Sequence, residues 1–355
     1  MLLSQFPRVR FCHSPTPLEP MERLTGLLGG PQLYIKRDDC TGLATGGNKT
    51  RKLEFLLGDA LAQGADTVIT HGAVQSNHTR QTAAAASKLG MACEILLERR
   101  VPDVAPDYEA TGNVFLDRLY GAELSFHPDG TDMNGACLDR VEQMKATGAK
   151  PYYIPGGGSN RIGALGYVSC ALELVQQAKD QNLRLDYIVH ATGSSGTQAG
   201  LLAGLAGCNS DIAVYGVSVR YPKNMQEERV SQLASETADF VGIARGVNRD
   251  DVIVDGDYIG PGYGQPTTGM IEAISLTARH EAILLDPVYS GKGMAGLIGL
   301  IRAGRFSKHD NVVFLHTGGA AALFAYQDLF TPSSRNQARD SPGRRFVPAG
   351  HSVES

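Results

Sequence analysis

The stretch DYIVHATGSSGTQAG, residues 186–200, holds the architecture in miniature. A short apolar run with β-branched residues stops at a glycine-serine cluster, and small and aliphatic residues take over behind it. A strand that turns through glycines straight into a helix is half of a βαβ unit. Gly193 through Thr197 can present backbone N–H groups and hydroxyls to one anion at the helix N-terminus. The turn is neither GxGxxG nor a Walker A loop, because no Gly-Lys-Ser/Thr follows, so alone it leaves phosphate binding and a plain tight turn both open.

The same alternation runs through most of the chain. LYIKRDD (33–39), DTVITHG (66–72), CEILLE (93–98), ELSFH (123–127), IAVYGVSV (212–219) and the start of NVVFLHTGGA (311–320) read as strands. The segments from Thr50, over 76–90, around 108–121, over 133–147 and over 163–178 read as helices. Short apolar strands separated by helices of this length imply parallel βαβ units and an α/β fold. A chain of 355 residues has room for about two domains. The second series begins at PYYIPGGGSN (151–160), and its glycine-serine break at 156–160 is the expected boundary. The closing stretch, 331–355, is polar and rich in Ser, Pro and Arg, and is expected to be a disordered tail without a catalytic role.

Composition excludes several classes. The 33 basic and 37 acidic residues give a net charge of −4, so no broad nucleic-acid footprint is implied and any basic chemistry must be local. The six cysteines are dispersed, with no CxxC pair and no metal-like spacing with histidine, so no metal site is expected. The start, MLLSQFPRVRF, lacks signal-peptide features and no run approaches a membrane span, which leads to the expectation of a cytoplasmic protein with reduced thiols.

Against that balance, TGGNKTRKLEF (45–55) sets Lys49, Arg51 and Lys52 directly behind a glycine pair. Asn48 reads as a helix N-cap, and Leu53, Phe55 and Leu56 as the apolar face of the helix that follows. Cations in a first turn oppose the helix dipole, a placement that makes most sense when an anion sits among them. GAVQSNHTRQTAA (72–84) is another strand-to-helix turn, readable as a Ser-Asn cap or as a carboxylate cradle. PGYGQPT (261–267) and DPVYSGKG (286–293) each place a tyrosine beside glycines in turns expected at strand ends, where open parallel sheets bind ligands. One hypothesis joins these stretches. Lys49 forms a Schiff base with pyridoxal 5′-phosphate, the glycine-serine loop and Lys52 hold the phosphate, and the serine-asparagine loop holds an amino-acid carboxylate. Neighbouring cations would lower the pKa of the lysine and so favour that chemistry.

The motifs KRDD…GGNKTRKLEF, QSNHTRQTAA, IPGGGSN…GALGY, TGSSGTQAGL, PGYGQPT, LLDPVYSGKGMAGL and FLHTGGA together resemble the D-cysteine desulfhydrase and aminocyclopropane-carboxylate deaminase family of fold type II pyridoxal-phosphate enzymes. The resemblance runs from about residue 5 to 328. It implies two open, twisted, mostly parallel sheets with helices on both faces, a small domain (50–158) inserted into a larger one (1–49 and 159–330), and a homodimer acting on a small amino acid. It implies Lys49 as the Schiff-base lysine, with Lys52, Ser194, Ser195, Gly196 and Thr197 near the phosphate. Asn77 would meet the ring oxygen of the cofactor, Ser76, Asn77 and His78 the substrate carboxylate, and Tyr263 and Tyr289 would flank the substrate, with Ser76 as an auxiliary acid or base.

Within the family, the deaminases carry Glu where this chain has Ser290 and Leu where it has Thr317, so the resemblance favours loss of a β-leaving group over ring opening. Details such as DDCTGLATGGNKTRKLEF and VHATGSSGTQAGL resemble the L-cysteate sulfo-lyase branch most, implying conversion of L-cysteate to pyruvate, sulfite and ammonium. A sulfonate needs a cationic or hydroxyl-rich contact, for which Arg220 and Thr45 are candidates, although Arg220 also reads as a surface ion-pair partner. The alternatives are D-cysteine desulfhydration with the same machinery, aminocyclopropane-carboxylate deamination, or a non-catalytic phosphate- or nucleotide-binding module, which leaves Lys49 unexplained.

Overall fold

The computed structural model describes residues 3–330, so the expected tail lies outside the described residues. The chain opens with β1 (Leu18–Pro20), α1 (Glu22–Leu28) and β2 (Gln32–Arg37). It continues through α2 (Lys49–Ala62), β3 (Thr67–Ala73), α3 (Asn77–Leu89), β4 (Ala92–Glu98), α4 (Gly112–Leu119), β5 (Glu123–His127), α5 (Met133–Ala146) and β6 (Pro151–Ile154). Then follow α6 (Arg161–Asp180), β7 (Tyr187–Thr192), α7 (Gly196–Gly207), β8 (Ala213–Ser218), α8 (Lys223–Phe240), β9 (Ile253–Asp255), α9 (Thr268–Glu281), α10 (Ser290–Arg302) and β10 (Asn311–His316).

Two sheets result, one of six strands in the order β1-β2-β10-β7-β8-β9 and one of four in the order β5-β4-β3-β6. Every pairing is parallel except that of β1 with β2. β3, β7 and β10 are buried along nearly their whole length, as parallel strands covered on both faces must be. The four strands of the smaller sheet all lie between residues 67 and 154, and none of the larger sheet does. On that segregation we propose the division into a large domain, 1–49 and 159–330, and an inserted small one, 50–158.

Several elements differ from the sequence expectation for physical reasons. The strand expected over 33–39 ends at Arg37, because Asp38–Cys40 turns into a 3-10 helix that carries the Asp38 side chain to Arg51. The helix expected around 108–121 shrinks to Gly112–Leu119, since Thr111 is fully extended and Gly112 sits at φ 57°. The edge strands β1 and β9 span three residues each, too short for any periodic signal. Among the described residues no helix is long and apolar enough to cross a membrane. No group of His, Cys, Asp and Glu there is arranged to hold a metal, and the six cysteines are free thiols.

The start of α2 is fixed from behind by ions. Arg51 donates from Nε and Nη2 to the two oxygens of Asp38, both at 2.9 Å, and from Nη1 and Nη2 to Glu173 on α6 at 3.0 and 2.8 Å. Thr16 and Tyr167 donate hydroxyl hydrogen bonds to Asp38, and Lys36 reaches Glu173. Burial works to raise the pKa of Asp38, but the Arg51 charge and these hydrogen bonds outweigh it and hold the carboxyl below its usual range. The approach of α6 is close enough that a Cβ on Gly166 would fall 2.3 Å from the Arg51 carbonyl. The anion that Arg51 answers is therefore internal to the fold and not a ligand.

Arg51→Met would leave the fully buried Asp38 without its cation, and the expected loss of stability is about 3–5 kcal/mol. Urea unfolding at unchanged m-value measures it. A loss below about 1 kcal/mol would show that the cluster is dispensable.

Candidate active site

A cavity of about 480 Å³ opens beyond the carboxyl ends of β3, β6, β7 and β8, lined by His71 to Ala73, Pro155 to Gly157, Gly193, Ser194, Arg220 and Tyr221 among others. This is where open parallel sheets bind ligands. A narrower cleft shares Lys49, Gly193, Ser194 and Tyr289 with it and runs to Asn77, Thr197 and Thr317.

Lys49 opens α2 at the seam of the two spaces. Its Nζ donates to Asn48 Oδ1 at 2.9 Å and lies 5.6 Å from the centre of the Tyr289 ring. Burial pushes its pKa down to about 8, against the pull of Asp286 and with a smaller push from Arg80. Burial, more than the neighbouring cations, is thus the main cause. Lys52 is depressed well below the ordinary lysine value, first by burial and then by Lys49.

Asn48 does not cap α2. Its backbone is already helical, at φ −62° and ψ −21°, and it makes no side-chain cap. Its amide bridges instead, accepting from Lys49 and donating from Nδ2 to Thr197 Oγ1 at 3.0 Å. The first turn is satisfied by Gln81 of α3, whose Oε1 accepts from the Thr50 N–H at 2.9 Å.

The glycine-serine loop has the make-up of an anion cradle. The first N–H groups of α7 have no acceptor within the helix, and the hydroxyls of Ser194, Ser195 and Thr197 border the cleft. Ser159 is the hub beneath it: its Oγ donates to Ser194 Oγ at 2.8 Å and accepts from Lys52 Nζ at 3.1 Å and from the Gly196 N–H at 3.2 Å. Lys52 also donates to the Gly157 carbonyl at 3.1 Å. Gly157 sits at φ 71°, and a Cβ there would fall 2.3 Å from Ser194 Oγ. Ser195 is left-handed without being glycine, at φ 73°, a strained position of the kind that accumulates at ligand clamps. Buried hydroxyls, helix N–H groups and a lysine behind them fit a phosphate, and the buried, weakly basic Lys49 fits the carbonyl that a pyridoxal cofactor carries.

Ser76 is the N-cap of α3, accepting from the N–H groups of His78 and Thr79 at 3.2 and 3.4 Å, and it also lines the larger cavity. The cap reading of the Ser-Asn turn therefore holds, at a residue that also faces the cavity. His78 differs from expectation. Thr70 donates its hydroxyl to the Ile154 carbonyl at 2.7 Å, so at the 2.8 Å contact between Thr70 Oγ1 and His78 Nε2 the ring must be the donor. The unpaired Nδ1 then carries a lone pair, and burial drives the pKa well below that of ordinary histidine. A neutral ring with a lone pair on Nδ1 offers a carboxylate nothing to accept from, so any contact of His78 with a carboxylate would come from its backbone N–H in the first turn of α3.

Tyr263 and Tyr289 meet hydroxyl to hydroxyl at 2.5 Å with their rings edge to face, and Arg100 lies 5.6 Å from the Tyr263 ring centre. Arg220 reaches the cavity wall over the Tyr221 ring and makes no ion pair among the described residues. Thr45 is exposed, at φ 64° in a turn, and lines neither space, so it drops out as a substrate contact. Ser290 is fully buried and its hydroxyl is taken up by Asp286 and the Gly318 carbonyl, so Thr317 is the hydroxyl that borders the cleft. The sequence reading missed Asn48 as a bridge, Ser159 as the hub and His71 as part of the cavity wall. The PGGGSN motif pointed toward Ser159, but nothing local marked the other two.

The chain is similar to known proteins along most of its length. The family model described as pyridoxal-phosphate dependent enzyme matches residues 9–318. The D-cysteine desulfhydrase of Salmonella typhimurium is 46% identical over 324 residues, which is 91% of this chain and 97% of the relative. The 1-aminocyclopropane-1-carboxylate deaminase of Burkholderia vietnamiensis is 43% identical over 335 residues, 93% of this chain and 99% of the relative. A solved structure of an ACC deaminase homologue superposes with a TM-score of 0.84 at 39% identity, over 92% of this chain and 97% of that one.

The Lys49 amine should become reactive near neutral pH. Below about 8 it is an ammonium and above it a free amine, so reductive alkylation by a small aldehyde, followed by peptide mass, should rise at Lys49 with a midpoint near pH 8. A midpoint at the ordinary lysine value of about 10.4 would remove the desolvation argument.

Proposed function

The chain belongs to the pyridoxal-phosphate-dependent enzyme family, and on that premise we propose that it is a lyase that eliminates the β-substituent of a cysteine-like amino acid, with L-cysteate as substrate and pyruvate, sulfite and ammonium as products. The observation that carries the reading is the cavity in which Lys49 faces the same space as an arginine with no carboxylate of its own, Arg220.

Lys49 would hold the cofactor covalently, the N-terminus of α7 with Ser194, Ser195, Gly196, Thr197 and Lys52 its phosphate, and Asn77 and Thr317 its ring. When bound, the cofactor supplies the electron sink that lets a Cα–H bond ionise. Lys49, with a pKa near 8, can take the Cα proton as an amine and return it as an ammonium. Ser76 accepts two backbone hydrogen bonds and donates none to the described residues, so its hydroxyl proton is available to a substrate carboxylate at the N-terminus of α3. The paired hydroxyls of Tyr263 and Tyr289 stand on the cavity wall beside Lys49.

Among the described residues no carboxylate borders the cleft, and the nearby Asp286 spends its oxygens on the N–H groups of Val288, Tyr289 and Ser290 and on the Ser290 hydroxyl. A hydroxyl such as Thr317 leaves a pyridine nitrogen closer to neutral than a carboxylate would, a weaker sink that suits a good leaving group better than a strained carbon ring. A sulfonate is such a group, and as a fixed anion it matches Arg220. A desulfhydrase acting on D-cysteine is the second reading, favoured by the 46% identity to the Salmonella enzyme.

Protein loaded with pyridoxal 5′-phosphate and given L-cysteate should release sulfite and pyruvate in equal amounts, and Lys49→Ala should abolish release. Sulfide from D-cysteine with no sulfite from L-cysteate would transfer the assignment to the second reading. Arg220→Ala should raise the KM for L-cysteate about tenfold while changing kcat by less than about threefold, the loss of one charge-assisted contact made in ground and transition state alike. An unchanged KM would place the sulfonate against other residues.

A further inference from the structure

Arg80, at the end of the first turn of α3, is fully buried, and no carboxylate among the described residues forms an ion pair with it. Burying a guanidinium without a counter-charge is among the most expensive things a fold can do, and persists where something needs the charge. Its donors are nonetheless placed. Nη1 donates to Asn77 Oδ1 at 3.0 Å and to Asn113 Oδ1 at 2.6 Å, and Nη2 donates to the Gly46 carbonyl at 2.8 Å. Asn113 in turn donates from Nδ2 to Asn77 Oδ1 at 3.0 Å and to the Gln75 carbonyl at 3.1 Å.

Asn77 Oδ1 thus accepts two hydrogen bonds from behind, one of them from a cation. That fixes the amide: its oxygen faces Arg80, and its Nδ2 points forward, with no protein acceptor among the described residues, toward the 317–319 loop that borders the cleft. A Cβ on Gly319 would lie 2.7 Å from that Nδ2. The acid nearest to neutralising Arg80 is Asp117, which takes a hydrogen bond from Thr79 but leaves Oδ1 unpaired. Burial pushes its pKa up to about 8, and it makes neither a hydrogen bond nor an ion pair with the guanidinium. Lys49 and Tyr289 line the cleft, and Lys52, His78 and Asp286 are further ionisable groups around it.

We propose that Arg80 is a positioning residue for the electronics of the cofactor: it locks the Asn77 amide with Nδ2 toward the cleft and, through that amide, stabilises the ionised form of the ring oxygen. The proposal rests on the reading of Asn77 as the partner of that oxygen. A hydrogen bond from an amide whose oxygen is itself held by a cation is polarised toward donation, and a buried positive charge favours an anion nearby. Both effects act in one direction. The lysine-bound cofactor would partition between a form in which the ring-oxygen proton sits on the Lys49 nitrogen, leaving the oxygen ionised and absorbing in the visible, and a form that keeps the neutral hydroxyl and absorbs in the near ultraviolet. Arg80 shifts that partition toward the visible form.

The test is the absorption spectrum of protein loaded with pyridoxal 5′-phosphate. Wild type should show the visible band almost alone, and Arg80→Met should lower the ratio of visible to near-ultraviolet absorbance about tenfold, the equivalent of one pKa unit on the ring oxygen. Arg80→Lys, which keeps the charge but loses the fork, should recover part of the ratio. Arg80→Gln covers the case in which Arg80→Met does not fold, because it keeps an amide donor for the oxygens that Arg80 serves while removing the charge, and it should move the ratio the same way. A merely structural role for Arg80 predicts a lower melting temperature with an unchanged ratio in whatever protein remains loaded, and that result in Arg80→Met, or in Arg80→Gln where Arg80→Met does not fold, overturns the proposal. Wild-type protein that takes up no cofactor would overturn the functional reading itself, and this proposal with it.

Discussion

The buried contact of Arg51 with Asp38 and Glu173 decides how the rest of the site is assembled. It joins the turn after β2, the first turn of α2 and the middle of α6, three segments far apart in sequence. Residues 49 and 52 are three apart on a helix and share a face, whereas residue 51 lies about 100° around from residue 52. Anchoring Arg51 on its carboxylates therefore rotates Lys49 toward the cavity and Lys52 toward the glycine-serine loop. The three cations that look like one cluster in the sequence do three jobs: one holds the helix, one stands behind the anion cradle, and one presents an amine.

That sorting marks the limit of what the sequence made legible. The parallel βαβ pattern, the strand-end loops and Lys49 could all be read from local composition, because strand length, glycine turns and a lysine behind a glycine pair are features of a few neighbouring residues. The destination of Arg51 could not, since Asp38 lies 13 residues away and Glu173 lies 122. The same holds for Asn48, whose composition signals a cap but whose helical backbone turns the amide onto Thr197. His78 was legible as a member of the Ser-Asn turn, while its protonation state depended on a carbonyl 84 residues from Thr70. Thr45 and Ser290 failed for a related reason: both sit beside motif residues, but a left-handed turn exposes one and a helix-start carboxylate occupies the other.

The site resolves two electrostatic demands that oppose each other. An amine that must react near neutral pH requires low polarity and no close carboxylate, while anionic ligands require positive charge. The structure separates these by depth and direction. Lys49 is buried, with a neutral histidine and an aromatic ring as neighbours, so desolvation keeps its pKa near 8. Lys52 stands behind the anion cradle through Ser159, and Arg80 stands behind Asn77, each presented to the cleft through a neutral intermediary.

Charge relayed through a neutral donor has a specific advantage over charge in direct contact. A bare ammonium or guanidinium in the cleft would repel the proton that Lys49 accepts in the proposed reaction and would be drawn to any anion without regard to its orientation. A serine hydroxyl or an asparagine amide polarised from behind keeps a fixed donor direction, and its own charge is nil. Arg220 fits the same logic from the opposite side: it stands on the wall of the larger cavity and does not line the cleft, so a cation there can meet a charged substituent of the substrate while Lys49 stays neutral enough to move a proton. The architecture that follows is one of positive charge at the periphery and donors in the middle, and it depends on Arg51 being held elsewhere by its carboxylates.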